Sequence, residues 1–248
     1  MDYQSLTNVL AVLRYVKSKG PNHTGVDLLR MLALETKAHP SDSAVARMAS
    51  QIIEQIEDAE IVIGLSQLDD EAKHGVQASL NKVSNAFSLK QLNNNTQGVI
   101  GDVSAAISNL VILLSASGVK TTTQPPTEAT DLAAEVEKLI AEFDNGALDP
   151  LVRETAKQHL QILATMLRHL PIFGVEAAMA TYFELILKVK AADSATTEVQ
   201  KKAAKPLMEK IGAFAEGLKK TNEAAKSGVG LIGHAKSAAV LFGLLPPS

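Results

Sequence analysis

At 248 residues, 46% of them apolar, the chain is long enough for one large domain or two small ones and too apolar to be disordered. A net charge of −3 gives no global drive toward nucleic acid, and 4% aromatics without Trp, beside abundant Ala and Leu, favour helices over strands. The absence of Cys excludes disulfides, thiolate nucleophiles and sulfur-ligated zinc.

The first predicted helix covers residues 3–17, with Leu6, Val9, Leu10, Leu13 and Val16 on one face and Gly20-Pro21 as its stop. Thr24 and Asp27 have the spacing of a capping box and open a second helix through Leu28, Leu29, Leu32 and Leu34, which His39-Pro40 ends. A third starts at Ser41 or Asp42 and runs through Met48, Ile52, Ile53 and Ile56. The apolar stretch Ala59 to Leu65 reads as its buried end. Asp69 or Asp70 caps a fourth helix bearing Val76, Leu80, Val83 and Phe87. After the Asn93-Asn94-Asn95 loop, Thr96 is placed to cap a fifth, continuous from Ile100 to Leu114, with Gly118 at its C-cap.

Composition then changes. Lys120 to Thr130 holds two prolines and five threonines without a large apolar residue, the best linker in the chain. It predicts a boundary between an N-terminal part, 1–119, and a C-terminal part, 131–248. A helix from Asp131 to Phe143 and a turn at Asp144-Asn145-Gly146 lead to the stretch from Asp149 to Lys190. There Asp149 is a suitable N-cap and Pro150 suits the first helical position. Leu151, Thr155, Ile162, Met166 and Leu170 form one stripe, Pro171 and Gly174 interrupt it, and Val175, Tyr182, Phe183, Ile186 and Val189 restart it. A helical hairpin with a Pro–Gly bend is expected, forming the core of the C-terminal half. Its residues 148–187 resemble a recurrent stretch of poorly characterised bacterial all-α proteins, in which a Pro after an acidic or polar residue starts a Leu-spaced helix and a Gly near the bend opens the next. That resemblance implies a bacterial source and carries no enzymatic activity with it.

The last third differs in charge. Residues 121–197 hold six basic and eleven acidic side chains, a balance of −5, whereas residues 198–248 hold eight Lys and four Glu, a balance of +4. Val199, Ala203, Leu207, Ile211, Phe214 and Leu218 form a narrow helical stripe with Pro206 as an expected kink or break, and Lys201, Lys205, Lys210 and Lys219 flank it. A Gly- and Ala-rich end follows, with Leu241 and Phe242 in its apolar tip. Lys201, Lys205, Leu207, Lys210, Ile211, Phe214, Leu218, Lys219, Leu241 and Phe242 are the candidate surface for a protein partner or an anionic membrane.

Chemical motifs point elsewhere. Gly228-Val-Gly230-Leu-Ile-Gly233 fits the dinucleotide pattern by letter, but the residues before it read as helix and no acid follows for the ribose, so no cofactor is expected. Six His residues form no His-Glu-x-x-His, and Glu71-x-x-His74 lacks the second copy that a di-iron bundle needs, so no metal is expected. There is no nucleophile elbow and no Walker loop, and no catalytic residue is proposed. No basic helix interleaved with aromatics suggests nucleic acid. The start of the chain has neither the charged nor the clean apolar region of a signal peptide, and no run of about 18 apolar residues occurs. The expectation is an all-α protein of nine or ten helices, cytoplasmic or peripheral to a membrane. Its expected role is a non-enzymatic module binding a protein or itself through apolar helix faces, with a membrane-permeabilising effector as the alternative.

Overall fold

The structure is a computed structural model that describes residues 3–36, 40–66, 68–119, 121, 124–143, 150–193 and 198–226. Ten helices account for most of these residues, and no strand occurs among them. The helices are α1 (Gln4–Lys19), α2 (Gly25–Glu35), α3 (Asp42–Leu65), α4 (Asp70–Phe87), α5 (Thr96–Ile100), α6 (Val103–Ala116), α7 (Thr127–Phe143), α8 (Pro150–Arg168), α9 (Leu170–Asp193) and α10 (Glu198–Lys226).

The starts are set by local side-chain chemistry. Thr24 and Asp27 complete a capping box, which holds the Asp27 carboxyl below its usual range chiefly through the Thr24 backbone N–H. Ser41 caps α3 and Asp69 caps α4, each accepting from the backbone N–H three residues on. The expected single helix from Thr96 is in fact two. Asn95, not Thr96, provides the cap, accepting from Gly98 N at 2.6 Å, and Thr96 is buried. Gly101 then takes a positive φ of 76°, and Asp102 caps α6 by accepting from Ala105 N at 2.9 Å. A left-handed Gly followed by a capping Asp ends one helix and begins another, which the continuous apolar spacing concealed. At the other end of α6, Gly118 N reaches Ser115 O and Val119 N reaches Leu114 O, the paired bonds of a Schellman motif.

Four further expectations are corrected. α7 begins four residues early, at Thr127, because the Pro126 carbonyl accepts from both Ala129 and Thr130 and Ala129 is fully buried. α10 continues through the exposed Pro206, so the helix is not broken there. The end of α3 is helical but only partly buried, since Ala59 and Ile63 face the core while Ile61 and Leu65 face out. Leu151, placed on the hairpin stripe, is likewise exposed. The Asp149 cap, the Asp144-Asn145-Gly146 turn and residues 227–248 lie outside the described residues.

Two rings of four helices result. In one, α1 packs on α3 and α6, and α4 completes the ring against both; α5 bridges α1 and α4. In the other, α7, α8, α9 and α10 pack in sequence and α10 returns to α7. The rings join where α9 lies on α1 and α3, with α2 linking α3 to α8, and one continuous apolar core runs through both. The expected boundary near Pro125-Pro126 is therefore a crossing of the chain between rings that share a core.

The junction depends on a break in α9. Gly174 has φ 77° and ψ 162°, a conformation open to Gly, and a Cβ there would lie 2.8 Å from the end of the Asn8 side-chain amide. Asn8 of α1 is wholly buried, 2.6 Å from Gln55 of α3, and its amide nitrogen turned toward Pro171 lies 3.2 Å from that carbonyl. Polar side chains from two helices thus meet at the break, and Asn8 reaches the Pro171 carbonyl.

Candidate functional site

The structure divides the sequence-derived surface on α10. Ile211, Phe214 and Leu218 are buried at 0%, 4% and 2% exposure and pack into the second ring rather than facing outward. Gly217 lies against Leu132 of α7 so closely that a Cβ would meet its Cδ1 at 2.6 Å. Lys210 is half-exposed and pairs with Glu142 of α7, while Lys205 and Lys219 are exposed. The apolar and basic parts of the surface therefore face opposite ways, and a membrane could meet the apolar part only after α10 left the ring. The side chains of Lys201 and Leu207, and all of Leu241 and Phe242, lie outside the described residues. The described span Leu170–Lys190 is long and apolar enough to cross a membrane, but 61% of its most apolar window is buried inside the protein, as expected of a core helix.

A concave site occurs instead where the rings meet. A cleft of about 280 Å³ opens between α1 and the α8–α9 junction, with Arg14 and Tyr15 on one wall, Arg168 and His169 on the other, and Pro125 and Ile172 among its apolar lining. Arg168 donates from Nε and Nη2 to the two carboxylate oxygens of Glu137, both at 3.0 Å. These paired bonds raise the guanidinium's pKa and fix its plane. Arg14 is half-buried and has no hydrogen-bond or ion-pair partner among the described residues.

His169 sits in the step between α8 and α9. Its Nε2 is 3.2 Å from the Leu32 carbonyl and 3.4 Å from Glu35 Oε2, so this nitrogen is placed to donate toward the end of α2. Burial pushes the imidazole below its usual range, against the attraction of Glu35. The Tyr15 hydroxyl points to the Leu28 carbonyl at 3.5 Å, and burial raises its pKa, keeping it protonated. Lys19 bonds Glu35 at 3.1 Å and lies 5.0 Å from the Tyr15 ring centroid. The cleft is thus backed by a polar seam linking α1, α2 and the α8–α9 step.

A second polar group pins α3 to the hairpin. Arg47 of α3 pairs with Glu184 of α9 and lies 3.4 Å from His159 Nε2 of α8. His159 Nδ1 is 2.9 Å from the Thr155 carbonyl, which assigns its proton to Nδ1 and leaves Nε2 to accept from Arg47. Glu184 is half-exposed while Arg47 and His159 are largely buried, so the triad pins α3 to the hairpin from the rim of the core. A void between α2, α3 and α8 holds only about 10 Å³, enough for at most one water. Among the described residues no group of three or more His, Asp or Glu is placed to hold a metal.

The cleft residues were visible in the sequence but unassigned. Arg14 is the first charge after eleven uncharged positions, and only Leu170 separates Arg168-His169 from Pro171. Nothing in linear spacing brings residues 14 and 168 together. No protein-family model, curated protein or solved structure matches the chain.

Proposed function

We propose that the chain is a non-enzymatic helical module that binds a protein partner, or a second copy of itself, through an apolar helix face. The observation supporting this reading is the outer face of α3. Ile61 and Leu65, one helical turn apart, are 61% and 68% exposed. Gly64 beside them has no atom within 4 Å of where its Cβ would be, so a partner backbone can approach closely. Earlier on the same helix Glu54, Glu57 and Asp58 are exposed, which favours a partner whose apolar spot carries basic neighbours.

Photo-crosslinking from a reactive residue at position 61, together with light scattering over a concentration series, tests this reading. The expected result is a discrete crosslink to one partner or to the same chain, abolished by Leu65→Asp with the fold intact by circular dichroism. A chain that stays monomeric and gives only diffuse crosslinks, or crosslinks indifferent to Leu65→Asp, removes the reading.

A further inference from the structure

We propose that the cleft between the two rings is a binding site for an oxyanion, a carboxylate or phosphate group, carried on a compact apolar body. It stands apart from the α3 face. The first argument is charge. Two guanidinium side chains line the cleft, and no carboxylate does. Arg168 spends two of its five N–H donors on Glu137, leaving three, and its plane is already fixed before a ligand arrives. Arg14 has no partner among the described residues, and a half-buried guanidinium with unused donors is suited to a planar oxyanion.

The second argument is shape. The rest of the lining is a mainly apolar floor of Ala11, Pro125, Pro171 and Ile172 with Tyr15, Ser18 and His169 as further polar groups, and the volume of about 280 Å³ falls at the small end of ligand pockets. A few convergent polar groups over an apolar floor select a small molecule with one charged end. The third argument is rigidity. One wall is α1, whose opposite side is packed into the core through Leu6, Val9, Leu10, Leu13 and Val16, and the other is the α8–α9 step held by His169 on the Leu32 carbonyl. Binding therefore asks for little rearrangement, which favours affinity even in a small ligand.

The test uses the full chain with benzoate and phenyl phosphate as probes, benzamide as the neutral match and inorganic phosphate as the bare anion. Amide chemical shifts are followed during titration. Benzoate and phenyl phosphate are expected to bind with dissociation constants on the order of 1 mM, shifting Ala11 and Ile172. Arg14→Gln removes no structural pair, so it should fold normally and weaken both probes by about tenfold or more. Inorganic phosphate, which leaves the apolar floor empty, should bind several-fold more weakly than phenyl phosphate. The proposal is overturned if no charged probe binds, if benzamide binds as well as benzoate, if free phosphate matches its phenyl ester, or if Arg14→Gln leaves the affinities unchanged.

Discussion

The first helix and the last described helix each complete a ring of four, yet they are seated differently. α1 is buried nearly all round: every residue from Ser5 to Leu10 is buried, as are Val12, Leu13 and Val16. Ile211, Phe214 and Leu218 of α10 form a single buried line, and charged residues return on its outer side at Lys210, Glu216, Lys219 and Lys220. α1 packs on α3, α5, α6 and α9, whereas α10 packs chiefly on α7 and α9. Four helices in a ring can thus be held by an axle or by a lid. The distinction follows from charge placement, because a helix can be surrounded only where it carries no charge to desolvate.

Truncation in the two helices should give the largest contrast. Leu10→Ala in α1 is expected to cost about 2–5 kcal/mol, read as a lowered urea midpoint, because neighbours on every side limit collapse of the cavity. Ile211→Ala should fall toward the lower end of the range for such changes, since α10 can settle inward with solvent behind it. Equal losses at the two positions would erase the axle–lid distinction.

The break in α9 ranks next. Gly174→Ala forces a side chain into a positive-φ conformation and toward the Asn8 amide, and should cost about 1–3 kcal/mol. Asn8→Ala in the same background should recover part of that loss by making space. Additive losses in the double variant would show that Asn8 is not what crowds the site.

A smaller effect should appear with pH. Burial lowers the folded-state pKa of His169, helped by Lys19 and Arg168 and opposed by Glu35, so the native protein favours the neutral ring. The unfolded chain takes up the proton first as pH falls through about 6.5. The contribution is fully present above that value and is lost progressively as pH falls toward the depressed folded value. A His169→Gln variant should show a shallower fall in denaturant midpoint over this window than the parent chain. Identical slopes would mean that the imidazole takes no part in the pH dependence.

The smallest expected effect is at the lid's edge. Lys210 and Glu142 are each about half-exposed, so Lys210→Ala should change stability by no more than about 1 kcal/mol, with less effect at high salt. A loss comparable with that of Ile211→Ala would mean that α10 is held as much by this pair as by its apolar line.

Much of this arrangement was legible along the chain. Thr24-x-x-Asp27, Ser41 and Asp69 cap where expected because capping is decided within one turn of backbone. The Pro171–Gly174 bend was legible for the same reason. The errors fall where two local signals compete or where the partner is distant. Apolar spacing across Ile100 and Val103 suggested one helix, and Gly101-Asp102 overruled it. The stripe on α10 was legible as a stripe, but the same periodicity describes a helix facing a membrane and one facing α7 and α9.

The sequence by itself determined the helices, most of their caps and the places where they stop, because these rest on interactions within a few residues. It also determined that α1 could be surrounded, since no charge occurs from Gln4 to Leu13. Only the tertiary structure decided that α9 would lie on α1, that Asn8 and Gln55 would meet the break at Gly174, and that Arg14 would share a cleft with Arg168. Such meetings join residues more than a hundred positions apart. They depend on which buried faces fit together, and the order of apolar residues along one helix does not specify its partner.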